Sequence, residues 1–372
     1  MVFQNKKRIL VYACDPGGAN VVIPVVQRLR QQYDVLLYGK AAALQKYQAA
    51  GLLGVDLACT LLDDGYEAVR VFLNALKPDL VVTGTSANDF TERYLWKASQ
   101  TLAIPSYALL DQWMNNDVRF SSYPLTHIEQ YQQNSNHLFL PQTIFVLDDV
   151  VKQEMVSKGF DKQRLMVVGH THLETIAGKA ETFKQERARY RATVDKSVYT
   201  VAFFSEPIEQ TYGASYWGYT EKSIFLALQK CIHHISANIN KRIKVIIKLH
   251  PREEPNNFNA FLSELRIPYV ITQTMSVWDI FVAADLVCGM SSMALLEAMV
   301  LGLPVVSIQI GLQRPDPFMP SLRGINVSMR DQQMLEKKIE SIILDDGQLP
   351  SCMKVQAGAV DRVIKEIGRV LC

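Results

Sequence analysis

The sequence lacks three features that would each assign the chain to a narrow class of protein. Its six cysteines include no C-x-x-C pair, which in a chain of 372 residues is typical of incidental thiols in a reducing compartment. No stretch approaches the roughly 18 consecutive apolar residues of a membrane-spanning helix. The formal net charge is only +2, which argues against nucleic acid as a partner and requires any anion recognition to be local.

Two common site motifs are missing as well. The segment CDPGGAN, Cys14–Asn20, opens a helix but is not the G-x-G-x-x-G fingerprint, and the second strand, VLLYGK, ends without the acidic residue of that motif. His170 and His172 resemble a metal pair but have no third ligand at a suitable spacing. We therefore expect no cofactor and no metal site.

The first apolar run, Ile9 to Cys14, is short and ends at an aspartate. This is typical of a first strand rather than of a signal peptide. We predict a cytoplasmic protein, with peripheral association at the inner face of the membrane as a further option.

What the sequence does contain is a regular alternation of apolar strand-like runs with helical patterns. The runs are nearly continuous, as expected for parallel strands that helices cover on both faces. Such alternation implies right-handed crossovers and a doubly wound sheet. Six runs precede Leu173 and five follow a charged helical segment: RILVYAC, DVLLYG, DLVVTG, PSYALLD, TIFVLDD and LMVVGH, then YTVAFFSEP, KVIIKLHP, PYVIT, DLVCG and PVVSIQIG.

Length and pattern together predict the α/β fold class, with two doubly wound Rossmann-like domains that face each other across a cleft. The N-terminal domain is expected at 1–175 and the second domain at 196–353, with an interdomain segment at 176–195. A helix is expected near 257–265, and a final helical stretch at 354–372 has no strand after it.

Ligands of open α/β sheets collect beyond the carboxyl ends of the strands, so the residues that follow each strand are the candidate site residues. In the first domain, Gly17 and Gly18 allow the backbone to approach a ligand closely at the start of a helix. Asp15 beside them either caps that helix or takes a proton from a substrate hydroxyl. Asp111, which follows a later strand in YALLDQWMNND, is either a turn cap or a second such group.

In the second domain, polar residues follow the first two strands. Ser205 and Glu206 stand just before a proline, which favours an extended conformation. Lys248 and His250 end the next strand in KLHP, where an imidazole can donate a hydrogen bond to a phosphate oxygen or to a leaving group. An ordinary loop and a structural histidine are the alternatives.

The most specific pattern is GMSSMALLEAMVLGLPVV, which begins at Gly289 and places two serines between a strand and a helix. Ser291 and Ser292 offer hydroxyl and backbone N–H donors at the helix start, where the helix dipole favours a phosphate. Glu297 lies about a turn and a half further on, within reach of a ribose or sugar hydroxyl. A structural cap would also explain the two serines, so the functional interpretation depends on His250 lying nearby.

The two doubly wound halves, the KLHP segment and GMSSMALLEAMVLGLPVV together resemble a glycosyltransferase of the GT-B fold. The second-domain motifs are similar to those of bacterial polysialyltransferases and of the glycerophosphotransferases of teichoic acid synthesis. The resemblance implies that His250, Ser291 and Ser292 contact the donor phosphates and that Glu297 contacts the ribose or the donor sugar. It also implies that the final helix, 354–372, packs back onto the first domain.

The function that this resemblance implies is inverting, metal-independent sugar transfer, in surface polysaccharide or glycoconjugate synthesis. Either Asp15 or Asp111 would deprotonate an acceptor hydroxyl, and His250 would stabilise the departing phosphate. The partners would be a CMP-, CDP- or UDP-linked sugar and a hydroxyl acceptor such as a glycan or a lipid-linked glycan. The donor-binding set would be Gly17, Gly18, Ser205, Glu206, Lys248, His250, Gly289, Ser291, Ser292 and Glu297.

Two alternatives to the transferase remain. One is a nucleotide-sugar 2-epimerase, because those enzymes share the two-domain architecture. The other is a non-catalytic homologue that binds a nucleotide or a polysaccharide.

Overall fold

The computed structural model describes residues 6–61, 63–238, 241–262, 267–344 and 353–371. The chain forms two compact units, which we call unit 1 (Met1–Thr175 with Val355–Cys372) and unit 2 (Ile176–Lys354). Each unit is built on one parallel sheet.

The sheet of unit 1 has seven strands in the order β3-β2-β1-β4-β5-β6-β7. Because β2 and β4 pair with opposite edges of β1, the strand order reverses between β1 and β4. That reversal leaves a crevice at the carboxyl ends of these two strands, where open α/β sheets hold their ligands. The strands are β1 (Arg8–Ala13), β2 (Asp34–Gly39), β3 (Val55–Asp56), β4 (Leu80–Thr83), β5 (Ser106–Leu109), β6 (Thr143–Val146) and β7 (Leu165–Val167).

Eight of the helices belong wholly or mainly to unit 1. They are α1 (Pro16–Leu29), α2 (Ala42–Ala49), α3 (Tyr66–Leu76), α4 (Thr91–Thr101), α5 (Ile128–Gln133), α6 (Asp149–Ser157), α7 (Thr171–Gly178) and, at the far end of the chain, α16 (Ala359–Leu371).

The alternation of side chains along β1 explains why this sheet carries helices on both faces. Ile9 and Val11 point into one core cluster, together with Val363 and Ile367 of α16. Leu10 points to the opposite face, into a cluster that includes side chains of α3 and α4. The three buried residues of α16, Ala359, Val363 and Ile367, recur every four positions, so one helical stripe faces the core.

The sheet of unit 2 has five strands in the order β10-β9-β8-β11-β12. Here β9 and β11 pair with opposite edges of β8, so the reversal lies between β8 and β11. The strands are β8 (Val198–Phe204), β9 (Arg242–Lys248), β10 (Tyr269–Thr272), β11 (Leu286–Gly289) and β12 (Val305–Ser307). The helices are α8 (Ala180–Thr193), α9 (Ile208–Tyr212), α10 (Glu221–Asn238), α11 (Asn259–Leu262), α12 (Val277–Ala283), α13 (Met293–Val300), α14 (Met319–Leu322) and α15 (Gln332–Leu344).

The segment expected between the domains contains α8, which packs on α12 within unit 2. Arg187 donates to the carbonyl of Ala284 at 2.5 Å, and Trp278 Nε1 donates to the carboxylate of Glu186 at 2.6 Å. Glu186 and Arg187 of this segment therefore bind the two ends of α12.

The structure confirms the predicted fold class, because both units are doubly wound and Rossmann-like. All five strands expected in the second half are present, and among the described residues of unit 1 only β3 was not predicted from the sequence. The helix expected near 257–265 is seen as α11, and positions 263–265 lie outside the described residues. Among the described residues no helix is both long and apolar enough to cross a membrane.

Candidate functional site

The strand order of unit 2 brings the loops after β8, β9 and β11 together at one edge of the sheet. Ser205 and Glu206 follow β8, His250 follows β9, and Ser291 follows β11. The sequence predicted that these residues belong to one site, and hydrogen bonds link them in two groups.

The first group is built around Glu253, a buried carboxylate in the loop after β9. Ser205 Oγ donates to one carboxylate oxygen at 2.6 Å, and the backbone N–H of His250 donates to the other at 2.6 Å. Burial is the main cause that raises the pKa of Glu253 to about 7, although both hydrogen bonds oppose the shift. Glu253 therefore holds the β9 loop against the end of β8, and it changes charge near neutral pH.

The same loop fixes the tautomer of His250. Burial, together with the positive charges of Arg252 and Lys248, lowers the pKa of this imidazole to about 4, so the ring is neutral at pH 7. The backbone N–H of Arg252 donates to Nδ1 at 3.2 Å. Because Nδ1 accepts, the proton is on Nε2. Nε2–H is thus a neutral donor that an anion can use.

The second group lies at the start of α13, where the sequence predicted a phosphate. Ser291 donates to the Glu206 carboxylate through its backbone N–H at 2.6 Å and through its hydroxyl at 3.1 Å. Backbone N–H groups of Met290 and Ser292 also interact with this carboxylate. Burial nevertheless raises the pKa of Glu206. The anion at this helix start is therefore a side chain of the protein, and Ser292 Oγ accepts from the N–H of Ala294 as an ordinary N-cap.

The other predicted donor-binding residues of unit 2 differ in their surroundings. Lys248 Nζ donates to the carbonyl of Gln273, so the side chain is engaged beside β10. Gly289 is buried where a Cβ would lie 2.9 Å from the carbonyl oxygen of Phe204, so packing of β11 on β8 already explains this glycine. Glu297 is half-buried on α13.

In unit 1, the loops after β1 and β4 meet at the reversal point of the sheet. Asp15 is the N-cap residue of α1 by position, yet its side chain makes no capping hydrogen bond. Its Oδ2 instead accepts from the backbone N–H of Ala87 at 2.8 Å. A Cβ on Gly84 would lie 2.7 Å from the Cα of Gly18, so this pair of glycines permits the two loops to touch.

Asp111, the second predicted base, is almost fully buried and paired. Its Oδ1 accepts from Arg119 at 2.5 Å and from the hydroxyl of Thr85 at 3.2 Å. Burial raises the pKa of Asp111, while Arg119 opposes that shift. His170 Nε2–H donates to the Asp111 carbonyl at 3.1 Å, which fits a structural histidine. Asp111 thus serves as the centre of a buried polar network.

Unit 1 also contains a buried carboxyl that the sequence analysis did not single out. Glu92, at the start of α4, is 1% exposed, and one of its oxygens accepts from Ser86 at 2.7 Å. Among the described residues its other oxygen has no hydrogen-bond partner. Burial and, next, the charge of Asp89 raise the pKa of Glu92 to about 8. Lys40 forms an ion pair with the same Asp89 at 3.6 Å and donates to the hydroxyl of Thr91 at 3.0 Å.

Of the residues that the sequence analysis missed, Glu253 had a signal in the sequence and Arg119 had none. Glu253 stands three positions after His250, so a carboxylate on the same loop was available to bind that backbone. Arg119 stands eight positions after Asp111, but no local pattern connects them, because the intervening chain is irregular. In the described ranges no group of three His, Cys, Asp or Glu residues is arranged to hold a metal ion.

Comparison with known proteins gives likeness in structure but none in sequence. No family model and no curated protein sequence matches this chain. Among solved structures, the S. aureus MnaA–UDP structure has a TM-score of 0.68 at 14% identity and covers 98% of this chain and 97% of its own. The UDP-GlcNAc 2-epimerase of Neisseria meningitidis, bound to UDP-GlcNAc, has a TM-score of 0.66 at 14% identity over 97% of this chain and 100% of its own.

A third structure is that of the Methanocaldococcus jannaschii UDP-GlcNAc 2-epimerase with UDP-GlcNAc and UDP. It has a TM-score of 0.67 at 15% identity and covers 97% of this chain and 99% of its own. At such identities the likeness establishes the fold, and it confirms the GT-B type predicted for this chain.

These comparisons contradict the prediction of a glycosyltransferase. Two of the three structures compared above are UDP-GlcNAc 2-epimerases, which are isomerases and not transferases. The hydroxyl acceptor was required only by the transferase prediction and has no support here. The chain has the architecture of the UDP-GlcNAc 2-epimerases.

Proposed function

We propose that this chain is a nucleotide-sugar 2-epimerase with UDP-N-acetylglucosamine as its substrate. The observation that carries the proposal is the likeness of fold, over 97% of the chain, to two 2-epimerases solved with UDP-GlcNAc. The polar loops at the reversal points of both sheets support it, because these are the places where doubly wound sheets bind ligands.

A 2-epimerase inverts the configuration at C2, the carbon next to the anomeric carbon. C2 bears a hydrogen. A proton must therefore leave C2 from one face of the sugar and return to the other. The electron pair of the broken C2–H bond forms a C1–C2 double bond as the diphosphate leaves C1, so the diphosphate must be held until the proton and the C1–O bond return. Such chemistry needs groups whose pKa values lie close to the working pH, as well as neutral or cationic donors for the phosphates.

In the proposed site, His250 and Ser291 contact the diphosphate, as the resemblance to polysialyltransferases implies. His250 suits this role because its Nε2–H donates without the cost of a buried charge. Ser292 would support the same phosphate through its position at the helix start, and Glu297 would accept from a ribose or sugar hydroxyl.

For proton transfer the carboxyl groups differ in suitability. Asp111 is engaged by Arg119 and Thr85, so we propose a structural role for it. Asp15 is less buried and lies at the β1/β4 reversal point, and we propose it as the acid–base group of unit 1. Glu253, whose pKa is about 7, would hold or release a proton beside His250.

The test is incubation of the protein with UDP-N-acetylglucosamine alone in deuterated water, followed by proton NMR. A 2-epimerase should replace the hydrogen at C2 with deuterium and produce the signals of an N-acetylmannosamine species. Asp15→Asn should slow the exchange at least tenfold, while Asp34→Asn, an exposed aspartate at the start of β2, should have no effect.

The outcomes separate the two remaining functions. Binding of UDP without any exchange at C2 would favour the non-catalytic nucleotide-binding homologue over the epimerase. Absence of binding by every nucleotide in a thermal-shift series of CMP, CDP, UDP, GDP and ADP would contradict both.

A further inference from the structure

The start of α13 is occupied by a carboxylate of the protein, Glu206, which is itself an anion. Glu206 accepts two hydrogen bonds from Ser291, at 2.6 and 3.1 Å, and interacts with the N–H groups of Met290 and Ser292. Donors at a helix start are the groups that bind a phosphate in this type of fold. A phosphate and an ionised Glu206 cannot use the same donors together, since both are negative and each needs the same hydrogens.

A second observation indicates where this carboxylate could go. Tyr219 lies in the loop before α10 and is 3% exposed. Within the described chain its hydroxyl has no hydrogen-bond partner. Glu206 is close enough that its charge, after burial, raises the pKa of this hydroxyl. A buried hydroxyl without a partner costs free energy, so a carboxylate that reached it would be stabilised.

We propose that Glu206 is the residue that determines anion affinity in unit 2, by alternating between the α13 start and the hydroxyl of Tyr219. The α13 donors bind Glu206 in the unliganded protein and the diphosphate in the complex. This inference rests on the proposed nucleotide binding. It adds that Glu206 competes with the diphosphate and that Tyr219 binds Glu206 when the diphosphate displaces it.

The affinity for the diphosphate should change with pH in one direction only. When Glu206 is protonated it no longer competes as an anion, so affinity for the diphosphate rises as the pH falls. The titratable groups that face it are Glu253, in the loop after β9, and Tyr219; Glu221 acts on Glu253 in turn. His250 belongs to the same edge of the sheet, but its pKa of about 4 leaves it uncharged above pH 6.

The experiment is calorimetric titration with UDP-N-acetylglucosamine from pH 5 to pH 8.5, because burial raises the pKa of Glu206 above that of an ordinary carboxyl group. This ligand is suitable because its diphosphate has no terminal phosphate group that titrates in that range. We expect the wild-type affinity to rise as the pH falls. Glu206→Gln should bind about tenfold more tightly than wild type at pH 8 and should lose most of the pH dependence.

Tyr219→Phe tests the second partner of Glu206. It should weaken binding about three- to tenfold, because the displaced carboxylate then lacks a donor. In the Glu206→Gln background the same change should have little effect, which a merely structural role of Tyr219 would not produce. Glu253→Gln should retain the pH dependence if Glu206 is its source.

Two matched variants control for general effects: Glu209→Gln, three positions after Glu206 in α9 and paired with Lys222, and Tyr190→Phe, on the exposed side of α8. Neither should change affinity. If wild type binds while Glu206→Gln and Tyr219→Phe leave affinity and its pH dependence unchanged, this inference is wrong and the proposed function stands. If no variant binds at any pH, the proposed function itself fails.

Discussion

The carboxylate of Asp111 lies directly against the Cα of Gly17, so that a Cβ at position 17 would overlap Oδ2 and lie 2.9 Å from Cγ. Position 17 must therefore be a glycine to leave room for the Asp111 carboxylate. The sequence suggested that Gly17 lets the backbone approach a ligand. In the structure, packing against Asp111 already explains the glycine.

The contact predicts that Gly17→Ala destabilises the protein by about 2 kcal/mol, because the new methyl group must displace a buried, paired carboxylate. Thermal unfolding should show a clearly lower melting temperature. Gly178→Ala is the matched control, since nothing lies within 4 Å of a Cβ at that position. Equal melting temperatures for the two variants would contradict the proposed packing.

The buried pair of Asp111 and Arg119 makes a second prediction. Asp111→Asn leaves the Arg119 guanidinium buried without its counter-charge, which should cost about 3 kcal/mol of unfolding free energy. Asp34→Asn breaks an ion pair whose two side chains are 52% and 47% exposed, and it should cost less than about 1 kcal/mol. Urea titration of both variants measures the difference, and comparable losses would refute the argument.

Glu253 predicts how the stability of unit 2 changes with pH. Its pKa is raised from about 4.5 to about 7, so the folded state holds this proton more tightly than the unfolded state. The stabilising effect is complete below pH 4.5 and is lost as the pH rises to 7, at most about 3 kcal/mol in all. Glu253→Gln should flatten this part of the calorimetric stability profile, whereas the exposed Glu154→Gln should not. A profile for Glu253→Gln as steep as that of wild type would exclude Glu253 as the cause.

His250 offers a prediction about ligand binding. His250→Ala should weaken UDP binding at least tenfold, because the Nε2–H donor is lost. His250→Asn should recover part of the affinity, since an amide also donates a hydrogen bond. His234→Ala, on the exposed side of α10, is the control and should leave the affinity for UDP unchanged. Between pH 6 and 8 the effect should be constant, as the pKa of His250 is about 4. Unchanged titration heat for His250→Ala would remove this residue from the site.

The sequence predicted most of the fold because its strands are buried on both faces. Runs such as DLVCG and KVIIKLHP are continuous in apolar residues, and only a helix-covered parallel strand explains them economically. The sequence did not predict β3 because this strand has only two residues, Val55 and Asp56, and lies at the edge of the sheet. A run that short has no recognisable period.

The candidate site was predictable only in part. Position after a strand identifies residues that share an edge of the sheet, and Ser205, His250 and Ser291 were found in that way. Which of them pair is decided by contacts far apart in the chain, such as Ser205 with Glu253 across 48 positions. Sequence spacing could not show that Glu206 would occupy the helix start expected to hold a phosphate.

The assignment of α16 to unit 1 has a consequence for how the chain folds during synthesis. Val363 and Ile367 are fully buried in the same core cluster as residues of β1. The whole of unit 2 is nevertheless synthesised after β1 and before α16. The N-terminal core therefore stays incomplete on the ribosome while unit 2 emerges and is free to fold. A stop codon before α16 would remove few residues, yet it would leave the first-made half with an uncovered apolar face.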